Sequence, residues 1–369
     1  MNNKFLTKLT TVNSKKSNAA PAFILVLTMV IISLLTVIVT QMFFSGSFFS
    51  SYAAITRQRE KAKVLAESGV RIACAQLYVP VAEAEKSVGI VKQPSAQKQE
   101  PVDQTKKLLE QIIPVLNTWQ AFTFNQKNDG VDGTLDIYIT CEEGKIHLND
   151  LLTLMTDAKL PENRMTLLKR LFTKIAEINQ VNEDLSRAAI DFFEQRKHIW
   201  LNDVTELLNS PGFAHFNDRV FVTVPVIAKD AKKDIKPQIF LTDIFTPQSR
   251  YGKLNPWVLS ASVCLVLGAG SSGEGKIQDR LKTALKSYKK NYNWSVDWDV
   301  IFKPVYGIEY AALGAEIASL LAPDFNPVAF TVVSYATVGA VTQGVFFLLL
   351  RKKQQDQSIV FIPIKSYWI

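Results

Sequence analysis

The feature that most constrains this chain is a stretch of 40 residues without a charged side chain, from Ser17 to Thr56. About twenty apolar residues suffice to cross the hydrocarbon core of a bilayer, and the run from Ala22 to Phe44 exceeds that length. A cleaved secretory signal has a shorter apolar core and a small-residue exit site, which this run does not have. We therefore predict a permanent membrane anchor.

The distribution of basic residues around the anchor predicts its orientation. Lysines precede the apolar run at positions 4, 8, 15 and 16, whereas the far side stays uncharged until Arg57. Because Lys and Arg are retained on the cytoplasmic side, we predict a cytoplasmic N-terminus, with the rest of the chain outside the membrane.

The composition excludes several classes of function. With 47% hydrophobic and 21% charged residues, the bulk of the chain is expected to fold. The net charge of +8 fits a solvated surface, and we predict no nucleic-acid partner. The cysteines form no CxxC pair and the histidines no HExxH motif, so we predict no metal site. A membrane-anchored hydrolase is a rival class, but no GxSxG, Cys–His pairing or carboxylate cluster supports it, and we predict no catalytic residues.

The helical pattern continues beyond the anchor. In REKAKVLAESGVRIACAQL, residues 59–77, mostly small side chains repeat at steps of three and four positions. They are Ala62, Leu65, Ala66, Gly69, Ala73 and Leu77. One helix from Phe23 to Leu77, roughly 80 Å long, would carry them as a single stripe. We predict that this stripe packs against partner helices, since small residues allow close approach. An anchor followed by a separate surface helix is the alternative.

The N-terminal region resembles a known family. A basic leader, small residues at a junction, an apolar run and then LAESGVRIA are similar to type IV pilin-like precursors. More narrowly, they resemble the minor pseudopilin K of type II secretion systems (general secretion pathway protein K). The resemblance implies cleavage by a prepilin-type peptidase between Ala20 and Pro21, or alternatively between Ala22 and Phe23. Ala20 departs from the family's glycine, and Pro21 stiffens the backbone after the first of these junctions.

The same resemblance bears on the absence of an acidic residue from the apolar run. Ordinary pilins carry a glutamate at the fifth residue after the cut, where it pairs with the amine of a neighbouring subunit. Here that position is Leu25, or Leu27 in the other frame, and no acid precedes Glu60. An unpaired carboxylate in lipid is costly. The K-type pseudopilin is similar in lacking this acid, which implies a place at the filament tip, although a plain anchor would lack it too.

The outer part of the chain carries the most specific match. Trp119, Phe122 and Phe124 followed by DIYITCEEGKIHLN resemble a strand pair of the pseudopilin K family over some thirty residues. The preceding NQKNDGVDGTLD fits a calcium loop only in part, because Lys127 takes a ligand position and Asp136 replaces the usual glutamate. We predict no cofactor, and calcium at this loop is left open.

A helical block follows. ENRMTLLKRLFTKIAEI and NEDLSRAAIDFFEQRKHI predict amphipathic helices, and WLNDVTELLNSPGF predicts a third that stops at Pro211-Gly212. The order is similar to the helical insertion of the pseudopilin K family, which is SAM-like or helix-hairpin-helix-like. A DNA-binding hairpin needs a second glycine to approach phosphate, and Phe213-Ala214 supplies none. The alternative function is a minor pilin of a DNA-uptake or adhesion filament that binds nucleic acid through this block.

The C-terminal third contains the rival to a single membrane crossing. RVFVTVPVI and QIFLTDIF are predicted strands, and Ala269 to Ile308 is an insertion that the resemblance does not place. The run from Phe330 to Lys353 has no charge before Arg351, as a second span would. Its β-branched and aromatic residues favour two strands that meet near Gly339, with a third strand in SIVFIPIKSYWI.

Together these observations predict an α+β fold. A long N-terminal transmembrane and amphipathic helix precedes a pilin-like α/β domain with an inserted all-helical domain. The predicted boundaries are a leader at 1–20, a transmembrane helix at 21–45, its extramembrane continuation at 46–80, the first part of the α/β domain at 81–146, the helical insertion at 147–220, and the remainder at 221–369 with a further insertion near 269–308. The resemblance implies a non-enzymatic tip-type minor pseudopilin of the bacterial inner membrane. Most of such a chain is periplasmic, and it assembles with other minor pseudopilins and contacts secreted cargo proteins.

Overall fold

The computed structural model describes residues 19–78, 104–151, 162–195, 200–225, 238–247, 253–269, 274–289, 294–318, 320–321, 327–354 and 359–369. The predicted leader, apart from its last two residues, and the polar linker after residue 80 lie outside the described residues. The chain divides into two compact units, Met1–Arg57 and Gln58–Ile369. We call the second unit the outer domain.

The first helix, α1, runs without interruption from Ala19 to Leu77 and contains 59 residues. The predicted long helix is therefore confirmed, and its length is about 90 Å. Pro21 lies in the first turn, where helical N–H groups have no intrahelical partner, so its ring does not break the helix. Every side chain from Phe23 to Thr56 is exposed. Within the described residues, α1 is the one helix long and apolar enough to cross a membrane by length and composition.

The outer domain is built on a five-stranded antiparallel sheet with the order β1-β2-β5-β6-β7. Its strands are β1 (Trp119–Phe124), β2 (Gly133–Cys141), β5 (Ala329–Val338), β6 (Val341–Lys353) and β7 (Ile359–Trp368). A second, parallel sheet pairs β3 (Ile146–His147) with β4 (Phe245–Thr246). β2 and β5 are hydrogen-bonded neighbours in the first sheet. The N-terminal and C-terminal parts of the outer domain therefore form one sheet, and the residues between β2 and β5 are inserted between these two parts in sequence. The predicted α+β class, with a long N-terminal helix followed by a sheet-containing domain, is confirmed.

The run from Phe330 to Lys353, for which a second membrane span was the alternative, forms most of β5 and β6. The two strands pair from Ala329 with Leu350 to Val338 with Val341. Gly339 lies in the turn between them with a φ of +60°, a conformation that glycine adopts at little cost. The strand interpretation is therefore correct, and the second membrane span is wrong.

Helices precede β1 and occupy much of the described sequence between β1 and β5. They are α2 (Gln104–Ile112), α3 (Gln126–Asp129), α4 (Glu162–Asn179), α5 (Leu185–Gln195), two 3-10 segments (Val204–Asn209 and Pro211–Arg219), α6 (Leu241–Ile244), α7 (Ala261–Leu267), α8 (Glu274–Leu285), α9 (Trp294–Asp297), a π-helical turn (Trp298–Phe302), α10 (Lys303–Tyr306) and α11 (Tyr310–Ala318). The segment 269–308, which the resemblance did not place, is helical over Glu274–Leu285 and over 294–306. It contributes Trp298 and Phe302 to the core, stacked with ring centroids 4.9 Å apart.

Some sequence predictions are wrong in detail. The third helix of the helical block is two 3-10 segments, because Pro211 cannot donate the N–H that a continuous helix needs. The described part of RVFVTVPVI, residues 219–225, is not a strand, and QIFLTDIF forms α6 and, at its last residue, the start of the two-residue strand β4. The Thr242 N–H and hydroxyl both donate to the Val220 carbonyl, at 2.9 and 2.7 Å. This local pairing replaces a strand ladder.

The small-residue stripe of α1 faces inward. All six of its members, Ala62, Leu65, Ala66, Gly69, Ala73 and Leu77, are buried in the outer domain. At Gly69 the backbone of α1 lies close to the five-stranded sheet, because a Cβ there would overlap the Ser334 hydroxyl and lie 3.0 Å from Leu135 Cδ1. The prediction that this stripe packs against partner helices is therefore wrong. Small residues do allow close packing here, but against the sheet of the same chain.

This packing predicts a compensating pair of substitutions. Gly69→Ala is expected to lower the free energy of unfolding of the outer domain by about 1–3 kcal/mol, because the added methyl enters occupied space. Ser334→Ala should be neutral or slightly stabilising, since the Ser334 hydroxyl is buried with no hydrogen-bond partner among the described residues. The double variant Gly69→Ala/Ser334→Ala should recover part of the free energy of unfolding that Gly69→Ala loses. Denaturant unfolding in detergent measures all three, and an unchanged Gly69→Ala midpoint would contradict this packing.

Candidate functional site

The residues that the resemblance singled out in the anchor lie in the apolar half of α1. Leu25, at the position of the pilin glutamate, and Leu27, its alternative, are both exposed. The two junctions proposed for cleavage, Ala20-Pro21 and Ala22-Phe23, lie in helical backbone at the start of α1. Cleavage at either junction stays a prediction.

The segment EEGKIHLN is the polar centre of the outer domain, although its charged residues would be typical of an exposed turn. Glu142–Gly144 form a 3-10 turn between β2 and β3, and every residue from Cys141 to Asn149 is buried. We call Glu142, Glu143, Lys145 and the nearby Asp243 the buried charge cluster. Sequence reasoning used this segment only for its family resemblance and did not predict that its charges are buried.

Glu142 and Lys145 form a buried ion pair, with side chains 4% and 1% exposed. Lys145 Nζ also donates to Thr331 Oγ1 at 3.0 Å. The hydroxyls of Thr331 and Thr246 both donate to the Glu142 carboxylate, one to each oxygen. A buried ion pair is tolerated only when further hydrogen bonds replace water, and two threonines from β5 and β4 do so here.

Glu143 holds the start of β5. Its Oε1 accepts the backbone N–H groups of Val328 and Ala329 at 3.0 and 3.3 Å, and its Oε2 accepts the Cys141 thiol at 2.9 Å. Burial raises the pKa of Glu143, and these hydrogen bonds oppose that effect. Glu143 therefore joins the turn to a strand nearly two hundred residues away.

Asp243 connects α6 to the start of α7. Its Oδ2 accepts the Ser262 N–H at 2.8 Å, and its carbonyl accepts the Ser260 hydroxyl at 2.5 Å. Its Oδ1 is buried without a hydrogen-bond partner among the described residues. Burial raises the pKa of Asp243, although the charge of Lys145 opposes the shift.

The same segment also fixes the helical block. Asn149 Oδ1 accepts the Leu201 N–H at 2.7 Å, and its Nδ2 donates to the Leu201 carbonyl at 2.8 Å. Farther along, Asp203 caps the first 3-10 segment and accepts hydrogen bonds from Tyr367 at 2.5 Å and Lys365 at 3.1 Å, both on β7. The residues 142–149 and Asp203 thus tie separate parts of the chain into one domain, and their contacts are structural.

Two aspartates are expected to give opposite pH dependences. Burial raises the pKa of Asp203, but the hydrogen bonds from Tyr367 and Thr205 and the charge of Lys365 outweigh it, so the net shift is downward. Its stabilising contribution is then present above the ordinary aspartate pKa of about 3.9 and is lost as pH falls through its folded pKa. The raised pKa of Asp243 has the reverse sign, so its contribution is lost as pH rises through its folded pKa.

Asp203→Asn should therefore reduce the loss of stability as pH falls below the ordinary aspartate pKa, whereas Asp243→Asn should reduce the loss of stability as pH rises above it. Urea unfolding of both variants and the wild type from about pH 2 to 9 tests this. Equal slopes in the two variants would contradict the assignment.

Two of the three cysteines are poorly suited to nucleophilic chemistry. Cys141 and Cys264 are buried, and burial raises the pKa of both well above the usual thiol value. A thiolate is the reactive form, so neither is a competent nucleophile. The cavity of about 30 Å³ beside Glu142 and Lys145 is large enough for a water molecule.

The proline-glycine turn of the helical block has a packing role. A Cβ at Gly212 would collide with the side chain of Ala188 on α5. Phe213 and Phe216, which follow, are fully buried, and Phe213 packs edge-to-face on Phe172. Gly212 therefore serves the core of the block, and this geometry offers no support for DNA binding.

Residues of the partial calcium motif are hydrogen-bonded to one another. Asn125 caps α3 through the Lys127 N–H at 2.9 Å, and Asp129 Oδ2 accepts the Asn125 N–H at 2.8 Å. Gly130 ends the turn with a φ of +74°. Among the described residues there is no group of three or more His, Cys, Asp or Glu side chains placed to hold a metal ion.

Comparison with known proteins gives a low-level similarity to a solved structure. No family model matches the chain, and no curated protein matches it. Among solved structures, the chain is similar to a chain in the crystal structure of the GspK-GspI-GspJ complex from the enterotoxigenic Escherichia coli Type 2 Secretion System. The two are 12% identical with a TM-score of 0.35, and the match covers 72% of this chain and 92% of that chain. Values this low carry no argument about function, which therefore rests on the chain's own residues.

Proposed function

We propose that this chain is a tip-type minor pseudopilin, a non-enzymatic assembly component of a type II secretion pseudopilus. In this proposal α1 anchors it in the bacterial inner membrane with the N-terminus in the cytoplasm and the outer domain in the periplasm. A prepilin-type peptidase removes the leader. The subunit then takes part in protein export across the outer membrane and contacts secreted cargo.

The observation that carries the proposal is the construction of α1. The helix is continuous over 59 residues, its apolar half contains no acid from Phe23 to Thr56, and its outer half is built into a sheet-containing domain. A helix made only to hold a domain in the membrane would not need to extend from the bilayer into the core of that domain. The missing acid leaves no intramembrane partner for the amine of a subunit above, as a subunit at the tip requires.

Because the small-residue stripe of α1 is buried within the outer domain, contacts with partner subunits have to use another part of α1. In the exposed apolar half, hydroxyl residues recur at steps of three, four and seven positions, at Ser33, Thr36, Thr40 and Ser47. This spacing places them on one helical face, and small hydroxyl residues favour close packing of helices in lipid. The hydroxyls of Thr36 and Thr40 already donate to carbonyls one turn earlier, at 2.8 and 2.7 Å. They therefore carry no unsatisfied donor into lipid.

Co-purification from detergent-solubilised membranes tests the partner assignment. The wild type is expected to carry other minor pseudopilins, and Thr36→Leu/Thr40→Leu is expected to reduce their yield about tenfold. The matched control is Ile31→Leu/Ile38→Leu, two changes on the opposite face that should leave the yield unchanged. A wild-type chain that carries no minor pseudopilin would defeat the proposal.

The N-terminal residue of the membrane-extracted chain tests processing separately. Pro21 or Phe23 at the N-terminus supports cleavage by a prepilin-type peptidase. An intact Met1 would mean that α1 is a plain anchor, and the tip assignment would lose its basis.

A further inference from the structure

A group of basic residues follows the uncharged stretch at once. Arg57, Arg59, Lys61 and Lys63 occur within seven residues, with Glu60 as the one acid among them. Steps of two residues turn a helix by about 200°, so successive cations point to opposite sides of α1. We call the three that belong to the outer domain, Arg59, Lys61 and Lys63, the basic collar.

The basic collar has little internal neutralisation. Lys63 pairs with Glu60 at 3.1 Å, and both side chains keep solvent contact. Arg59 and Lys61 are exposed, and neither has an ion-pair partner in the described part of the chain. The collar therefore presents net positive charge to whatever lies beside this part of the helix.

Two features of the sheet lie at the same level of α1. A Cβ at Gly339, in the β5–β6 turn, would lie 2.6 Å from Gln58 Nε2. The Trp368 ring, at the end of β7, lies beneath Lys63, with Nζ 5.8 Å from the ring centroid. Trp368 is 49% exposed, so about half of this residue is open to solvent. Arg59 and Lys63, four residues apart, thus share the side of α1 where Lys63 covers the exposed indole of Trp368, and Lys61 points to the opposite side.

The basic collar directly follows the uncharged stretch in sequence, and in the proposed function that stretch lies in the bilayer. Gln58 is two residues beyond Thr56, the last residue of the uncharged stretch, so the two are less than about 8 Å apart. The 34 residues from Phe23 to Thr56 form about 51 Å of helix, against about 40–45 Å for a bilayer with its headgroups. A tilt of about 30° accommodates the difference. The exposed Phe48, Phe49 and Tyr52 favour lipid contact up to the end of this stretch.

We propose that the basic collar and Trp368 bind anionic lipid headgroups at the membrane surface. Lys and Arg side chains attract anionic headgroups, and the amphipathic indole of tryptophan favours the same layer. The contact orients the outer domain on the bilayer before the subunit enters a filament, and it extends membrane contact beyond the transmembrane segment 21–45. This inference rests on the proposed function, in which α1 is anchored in the membrane.

The test uses the full chain reconstituted into vesicles with a nitroxide quencher on the lipid headgroup. Two compositions are compared, phosphatidylcholine alone and phosphatidylcholine with phosphatidylglycerol. The fluorescence of Trp368 is obtained by subtracting the fluorescence of Trp368→Phe from that of the wild type. Its quenching is expected to be about twofold greater in the anionic vesicles, and Arg59→Gln/Lys61→Gln/Lys63→Gln should abolish this excess. Trp200→Phe, which removes an exposed tryptophan of the helical block, is the matched control and should leave the excess intact.

Equal quenching of Trp368 in the two compositions would overturn the inference, as would an excess that survives the triple substitution. Burial of Trp368 only when minor pseudopilins are added would assign the surface to a protein partner instead and would also overturn it. Resistance to alkaline carbonate extraction separates this failure from that of the proposed function. A chain that carbonate removes from the vesicles has no anchor, and both proposals then fail. A chain that stays inserted without Trp368 quenching overturns the headgroup contact alone.

Discussion

Lys145→Met is expected to lower the free energy of unfolding of the outer domain by about 3–5 kcal/mol. The substitution leaves the Glu142 carboxylate buried with only the hydroxyls of Thr331 and Thr246 to replace water. An unpaired charge in this position is far more costly than the absence of the pair, because desolvation is no longer offset by a counter-charge. Chemical denaturation of the full chain in detergent, followed by the fluorescence of its core tryptophans, gives the measurement.

The double variant Glu142→Gln/Lys145→Met separates the ion pair from the space it fills. It removes both charges together, so it should be more stable than Lys145→Met alone. The control is Lys303→Met, which breaks an exposed pair with Glu309 at 2.6 Å and is expected to change stability within experimental error. A double variant as unstable as the single one would mean that packing, and not the unpaired charge, causes the loss.

Gly144→Ala is expected to have an effect of similar size, above about 3 kcal/mol. A Cβ on Gly144 would overlap the carbonyl of Val258, which belongs to the backbone and cannot rotate away. The same loop is fixed to the turn by the Ser260 N–H, which donates to the Gly144 carbonyl at 3.1 Å. The substitution therefore has to push apart two segments that also share a hydrogen bond.

Gly46→Ala is the matched control for this substitution. Gly46 lies in the apolar half of α1, and no atom lies within 4 Å of the position that its Cβ would take. Unfolding of the outer domain should be unaffected by Gly46→Ala. If Gly144→Ala unfolded at the wild-type denaturant concentration, the close approach of the turn to the Val258 loop would be wrong.

These two predictions concern a segment whose role the sequence did not reveal. EEGKIHLN contains two acids and a lysine between short apolar runs, which is the usual pattern of a surface turn. The signal that could have identified it is the long apolar alternation of the preceding TLDIYITC, because a central strand leads into buried surroundings. The partners of the charges could not be found in this way, since Thr331 lies 186 residues from Lys145.

The errors at residues 219–225 and 238–245 have a similar cause. RVFVTVPVI and QIFLTDIF are rich in strand-forming residues, and β-propensity reports how well a side chain fits a half-buried pleated surface. In the fold, Thr242 instead directs its N–H and hydroxyl to Val220, so the ladder is not formed. Tertiary hydrogen bonding overrode the local preference.

The amino-acid sequence by itself determined the long apolar helix, the continuity of α1 and the β5–β6 hairpin. Each depends on local chemistry: an uncharged run of sufficient length, a helical period that does not lapse, and β-branched residues around Gly339. Only the tertiary structure decided which way the small-residue stripe faces and where the charges of residues 142–145 are satisfied. The stripe would suit either a partner helix or a sheet, because small residues specify close approach and not the identity of the surface approached. That choice depends on β2 and β5, which come together from opposite ends of the outer domain.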